Sequence, residues 1–238
     1  MRYWLVMPAA GVGRRFGEHT PKQYADLHGL TVMEWALAPF LADSRCVAAV
    51  VVVGAADPHW PRIAARLPQV NVAVGGAERS VSVRNGLAAL KGRAAADEWV
   101  LVHDAARPCI CGEDLDRLLD SAHLHPVGGL LAAPAADTLK RARDDQQIVE
   151  TVDRAGLWRA LTPQMFRYGR LCEALDSAIA AGRVPTDEAQ AFEWQGQMPV
   201  VVQGSSANIK VTTADDLLIA AALLGARMGT RAAGERSK

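Results

Sequence analysis

The residues with the most evident chemistry lie just after the first apolar run. Pro8-Ala9-Ala10-Gly11-Val12-Gly13-Arg14-Arg15-Phe16 is followed closely by Pro21-Lys22-Gln23-Tyr24. Small residues after a buried strand let backbone N–H groups approach a row of phosphates. Gly11 and Gly13 can take φ > 0 at little cost. Arg15 and Lys22 then offer positive charge to phosphate oxygens. Two common phosphate motifs are excluded. No Gly-Lys-Ser/Thr follows, and the third glycine of a dinucleotide fingerprint is missing, with Arg14-Arg15 standing instead. A tight turn would account for the Gly-x-Gly alone. The arginine and the Pro-Lys pair at this spacing favour a triphosphate site.

Further groups suit the same chemistry. Trp99-Val100-Leu101-Val102-His103-Asp104-Ala105-Ala106-Arg107-Pro108 reads as a buried strand ending in a charged cluster. Asp104 falls at the strand's carboxyl end, where it can face a ribose or a Mg²⁺-bound water, or cap the next turn. His103 has no evident proton to move and reads as a structural imidazole. In Gly75-Gly76-Ala77-Glu78-Arg79-Ser80-Val81-Ser82 the adjacent glycines let backbone read a base edge, and Ser82 can hydrogen-bond it; a plain turn with an N-cap is the alternative. Lys210, between Ile209 and Val211, either aims its charge at a phosphate or snorkels to solvent. Thr186-Asp187-Glu188 opens a helix, so capping competes with ligand binding there. The four cysteines, Cys46, Cys109, Cys111 and Cys172, lack zinc-site spacing and read as reduced, packed thiols.

Together these blocks resemble the 2-C-methyl-D-erythritol 4-phosphate cytidylyltransferase family, nucleotidyltransferases of the non-mevalonate isoprenoid pathway. The likeness runs from about Val6 to about Leu218. Besides the segments above, it rests on Thr151-Val152-Asp153-Arg154, Leu161-Thr162-Pro163-Gln164 and Asn208-Ile209-Lys210-Val211-Thr212. The resemblance implies transfer of CMP from CTP to 2-C-methyl-D-erythritol 4-phosphate with release of pyrophosphate, and Mg²⁺ as cofactor. It implies Arg15, Lys22 and Lys210 as catalytic cations. Nucleotide binding falls to Ala9, Ala10, Gly11, Gly13, Lys22, Gly76, Ser82, Asp104 and Ala105, with Asp104 also in the metal's environment. Acceptor binding falls to Arg107, Thr138, Arg154, Thr162, Thr186 and Lys210, with Thr138 and Arg154 reaching into a partner subunit's site. Ala77 departs from the acid that relatives often carry there. A transferase for another acceptor, such as ribitol 5-phosphate, shares the loop. A catalytically idle nucleotide-binding protein would be expected to have lost Arg15, Lys22 or Asp104, and all three are present.

The elements that must position these residues alternate. Strands are expected at Trp4–Met7, Val47–Val53, Asn71–Val74, Trp99–His103 and Gly129–Ala133. Helical spacing joins Leu115, Leu118, Leu119 and Ala122, and again Leu171, Ala174, Leu175 and Ala178. Such alternation implies a Rossmann-like α/β domain, a mainly parallel sheet with helices on both faces. The polar segment at about 137–152 reads as a projecting β-arm with a turn near Asp144-Asp145. An arm with little core of its own usually packs on something, here a second subunit in a homodimer. One domain is expected over 1–228, its last helix opened by Thr213-Ala214-Asp215-Asp216, with a flexible tail at 229–238.

Charge and hydropathy exclude other classes. Lys plus Arg equals Asp plus Glu at 26 each, so the chain has no general basic field for nucleic acid. No apolar run reaches membrane-helix length, and the N-terminus reads as a strand, not a signal peptide, which makes the cytoplasm the default location.

Overall fold

The computed structural model describes residues 1–11 and 20–235; Gly13 and Arg15 lie outside the described residues. The chain opens with β1 (Tyr3–Pro8), then a 3-10 turn (Lys22–Tyr24) and the short hairpin β2 (Asp26–Leu27) and β3 (Leu30–Thr31). α1 (Val32–Leu41), β4 (Cys46–Val53), α2 (Trp60–Arg66), β5 (Asn71–Val74), α3 (Arg79–Ala88) and β6 (Trp99–Val102) complete the first half. α4 (Gly112–Ala122), β7 (Gly128–Pro134), β8 (Leu139–Ala142), β9 (Ile148–Val152) and β10 (Trp158–Arg167) follow. The chain ends with α5 (Tyr168–Ala180), α6 (Glu188–Glu193), β11 (Val200–Gln203) and α7 (Ala214–Glu235).

Seven strands form one sheet in the order β11-β7-β10-β6-β1-β4-β5. The β1–β4, β1–β6, β4–β5 and β7–β11 pairs are parallel; β10 alone runs antiparallel, between β6 and β7. Both faces are buried, and the period-2 alternation of side chains divides each central strand between two cores. Tyr3, Leu5 and Met7 of β1 join Val51 and Leu101 against α1, α2 and α4, with Leu37, Phe40, Ile63 and Leu118. Trp4 and Val6 join Val50, Val52 and Val100 against α3, α5 and α6, with Leu87, Leu175 and Phe192. A smaller cluster of Leu27, Val32, Cys109, Val211 and Leu224 seats α7 on the β2–β3 hairpin.

The five expected strands form within one residue of their expected ends. The two expected helical faces are buried. β10 was not among the expected strands, and its Pro163 is unusual in a central strand. It is tolerated because the β10–β7 register breaks between Ala160 and Gln164, so Pro163 sits where no ladder N–H is needed. The Thr162–Pro163 peptide is cis. At the other end, Thr213 and Asp216 cap α7 reciprocally. The helix then continues through Gly229 to Glu235, so the expected tail is helical over most of its length. Its run of alanines, good helix formers, carries the helix across the glycines.

The expected arm is present. β8 and β9 pair as a separate antiparallel two-stranded sheet, Leu139 opposite Val152, with the turn at Asp144-Asp145. Its apolar residues Leu139, Ile148 and Val149 are exposed. No described helix is long and apolar enough to cross a membrane.

Candidate active site

β1 and β6 lie side by side, and the chain leaves β1 toward β4 on one side before returning to β6 on the other. The crevice at such a reversal, beyond the strands' carboxyl ends, is where open α/β sheets hold ligands. A cavity of about 220 Å³ occupies that place. Pro8–Gly11 form one wall, Gly76–Arg79 and Ser82 a second, and Asp104–Ala106 a third, with Lys22 and Lys210 at its edge.

Two devices shape the backbone around it. The Gln23 side chain is buried and donates both amide hydrogens, to Ala9 O at 2.8 Å and to Gly11 O at 2.9 Å. Two loop carbonyls that would repel a phosphate are thereby engaged. Across the cavity, the Ser82 hydroxyl accepts from Gly76 N at 3.1 Å and donates to Glu78 O at 3.1 Å, closing the turn into α3. Glycine is required in that turn. A Cβ on Gly75 would stand 2.4 Å from Ala10 Cβ, and one on Gly76 would stand 2.3 Å from a Val81 methyl carbon. The two loops touch at Gly75, where a side chain would push them apart, and a side chain at Gly76 would instead displace Val81 of α3.

Asp104 is the electrostatic centre. It is buried, with Arg79 at 2.9 Å on Oδ1, Lys210 at 2.8 Å on Oδ2 and Arg107 Nε at 4.0 Å. Burial alone would favour the neutral acid, but Arg79, Lys210 and Arg107 outweigh it and hold the carboxyl below the usual carboxylate range. Beneath it runs a consistent chain of hydrogen bonds. Asp104 N donates to Thr162 Oγ1 at 3.1 Å, and the Thr162 hydroxyl faces His103 Nδ1 at 2.9 Å. His103 Nε2 lies 3.2 Å from Arg107 O. One neutral tautomer, protonated on Nε2, satisfies all three contacts. Burial pushes the His103 pKa down to about 4, which keeps the imidazole neutral and structural, in agreement with the sequence.

The sequence-derived residues divide as follows. Ala9, Ala10, Gly11, Lys22, Gly76, Ser82, Asp104, Ala105 and Lys210 all line the cavity. Thr162 lies on β10 in the central sheet and is buried with its hydroxyl engaged. Arg107 is also buried, donating to Asn208 O at 2.7 Å and more weakly to Ala160 O at 3.4 Å. Thr138 and Arg154 are exposed around the arm and do not line the cavity of their own chain, and Arg154 donates to Ala136 O. Thr186 is exposed just before α6; Asp187 is the N-cap, accepting from Gln190 N at 2.9 Å. Gln23, Arg79 and Glu188 were missed as site residues. All three lie inside recognised blocks; Gln23 meets Ala9 and Gly11 of its own N-terminal segment, whereas Arg79 and Glu188 meet across 109 residues. The four cysteines are free, and burial pushes the Cys46 and Cys109 thiols up to about 11, away from the reactive thiolate.

The family model for 2-C-methyl-D-erythritol 4-phosphate cytidylyltransferase matches residues 3–226. The chain belongs to that family. A Pseudomonas aeruginosa (PAO1) relative named 2-C-methyl-D-erythritol 4-phosphate cytidylyltransferase is 52% identical over 218 residues, 91% of this chain and 93% of that protein. A Pseudomonas fluorescens (SBW25) relative of the same name is 51% identical over 217 residues, 90% of this chain and 92% of that protein. A crystal structure of a 4-diphosphocytidyl-2C-methyl-D-erythritol synthase superposes with a TM-score of 0.83 at 41% identity, covering 94% of this chain and 98% of that one. The cytidylyltransferase of Francisella tularensis superposes at 0.79 with 33% identity, covering 94% of this chain and all, 100%, of that one. The family match thus takes in the whole sheet, the cavity and the arm.

Proposed function

We propose that this cytidylyltransferase-family chain transfers CMP from CTP to 2-C-methyl-D-erythritol 4-phosphate. The products are 4-diphosphocytidyl-2-C-methyl-D-erythritol and pyrophosphate, in isoprenoid precursor synthesis in the cytoplasm. The observation that carries the site assignment is one cavity, at the sheet's switch point, joining the small-residue loop, Lys22, Lys210 and Asp104. Cytosine lies against the backbone of Gly76 and Ala10, with Ser82 holding that turn in shape; the ribose lies near Asp104 and Ala105. Lys22 faces the phosphates; Arg15 is assigned to them on the family resemblance. Lys210 faces the α-phosphate or the incoming phosphate.

A phosphate oxygen of the acceptor attacks the α-phosphorus in line. A new P–O bond forms as the bond from the α-phosphorus to the bridging oxygen breaks, and pyrophosphate leaves with that electron pair. The attacking oxygen is already an anion, so no general base is needed. The chain's work is positioning and charge stabilisation. Among the described residues no three His, Cys, Asp or Glu side chains gather to hold a metal ion, and both oxygens of Asp104 face cations. That donor set suits Mg²⁺ carried in on the triphosphate as part of the substrate, with at most one carboxylate to meet it. When bound, the ion neutralises charge on the leaving pyrophosphate.

Thr186 contacts the acceptor. Thr138 and Arg154 do so from the arm of a second subunit, in a homodimer with shared sites. Thr162 and Arg107, already engaged with Asp104 and Asn208, hold the site's floor. The test is pyrophosphate release across CTP, UTP and ATP, each with several sugar-alcohol phosphates including ribitol 5-phosphate, with and without excess chelator. CTP with 2-C-methyl-D-erythritol 4-phosphate should lead by at least ~100-fold in kcat/KM, because a wrong base leaves buried polar groups unpaired. Chelator should abolish release. Equal rates among triphosphates or acceptors would overturn the substrate assignment.

A further inference from the structure

Four charges of alternating sign run in a line from behind the cavity into it. Glu188 accepts two hydrogen bonds from the Arg79 guanidinium, at 2.7 and 3.2 Å. The same guanidinium donates to Asp104 Oδ1 at 2.9 Å, and Lys210 Nζ stands 2.8 Å from Asp104 Oδ2. The inner end is sealed and the outer end open: the Glu188 side chain is 1% exposed and that of Lys210 39%. Glu188 is the first residue of α6 and Arg79 the first of α3, so the line also joins two helix starts. Glu188 does not line the cavity, whereas the other three do.

The geometry of the fork gives this line a consequence. A guanidinium can grip one carboxylate with two donors or share itself between two carboxylates. Here Nη1 and Nη2 face the two oxygens of Glu188, while Nε and Nη2 both meet Oδ1 of Asp104, so Arg79 reaches both oxygens of Glu188 but only one of Asp104. The second oxygen is left to Lys210. With Glu188 neutral, Arg79 is free to turn its fork onto both oxygens of Asp104 and displace the lysine. We infer that Glu188 is a positioning residue for Lys210, acting through Arg79 and Asp104 to set where that ammonium stands. The inference rests on the proposed role of Lys210 in the transfer.

The experiment is a double-mutant cycle in turnover, with thermal melts, using Glu188→Gln, Lys210→Ala and the double variant. Glu188→Gln should lower kcat about ten- to a hundredfold, since small displacements of a reacting constellation have effects of that size, with KM for CTP changing less than about twofold. In the Lys210→Ala background the same substitution should change kcat by less than about twofold, because the group it positions is gone. Wild-type kcat in folded Glu188→Gln overturns the inference. So does a loss that multiplies in full in the Lys210→Ala background, which marks Glu188 as a strut between α3 and α6. Should Glu188→Gln fail to fold, Arg79→Lys runs the same cycle: an ammonium lacks the planar fork that holds both Glu188 oxygens while reaching Asp104, so the same non-additivity is expected and full additivity overturns the inference. Normal turnover in Lys210→Ala itself removes the proposed role of Lys210 and the inference with it, whereas the first two outcomes overturn the inference alone.

Discussion

The cavity and the arm are built on opposite plans. At the cavity, one chain closes its own charges: Asp104 meets Arg79 and Lys210, Gln23 grips the first loop, and Ser82 closes the second. On the arm the ion pair between Arg141 and Glu150 has side chains 64% and 54% exposed, and Ile148 and Val149 stand 66% and 52% exposed. An exposed pair of that kind contributes about 0–1 kcal/mol, and a two-stranded hairpin alone is marginal in water. The cavity's shape is therefore a property of the single chain. The arm's geometry needs a covering surface, and in the shared-site reading that surface is a second copy.

The largest effect that tests this contrast is on the cavity side. Lys22→Ala should lower CDP-product formation at least ~100-fold, the usual scale for a lost electrostatic stabiliser, with a melting temperature close to wild type. Near-normal turnover in the folded variant would remove Lys22 from the chemistry. The next experiment joins the two regions. Lys22→Ala and Arg154→Ala, each inactive alone, are co-expressed. Random pairing makes about half the dimers mixed, and a mixed dimer with shared sites carries one intact site, so activity should return to roughly a quarter of wild type. Confirmed mixed dimers that stay inactive would mean that Arg154 serves its own chain.

A smaller effect belongs to the arm alone. Ile148→Asp should shift the protein toward monomer in sedimentation while leaving the melting temperature of the main domain within a few degrees, since the residue touches little of its own chain. Loss of the folded domain would contradict the arm's independence. The smallest effect is the acid side of the cavity floor. His103 is held near a pKa of about 4 against an ordinary 6.5, so between those values the unfolded chain binds the extra proton and the folded one does not. Stability should fall as pH drops from about 6.5 to about 4, by about 3 kcal/mol in all, and this contribution should be fully present above 6.5. Asp104, depressed by its cations, adds its own loss as pH falls below the ordinary carboxylate value of 3.8. Melts of His103→Asn over the same range should be flatter than those of wild type; parallel curves would remove His103 as the source.

The sequence by itself determined most of the frame. Short continuous apolar, β-branched runs marked β1, β4 and β6, and the 3.6 spacing of Leu115, Leu118 and Leu119 marked α4, because those patterns repeat over neighbouring residues. The small-residue loop with Lys22 was legible as phosphate chemistry from residue types and spacing, and the polar arm from its lack of a core; the nucleotide roles of Gly76 and Asp104 came from the family resemblance, and Lys210 was left between a phosphate and solvent. Only the tertiary structure decided which side chains meet. β10 enters the sheet antiparallel through a register break that accommodates Pro163, and no local pattern announces such a break. Thr162, read as an acceptor ligand, lies under Asp104, 58 residues away in sequence. Arg79 finds Glu188 across a separation of 109 residues. Local periodicity records which face a residue turns to the core. Pairings over such separations depend on how strands order in the sheet and how helices settle on it, and spacing along the chain does not record that.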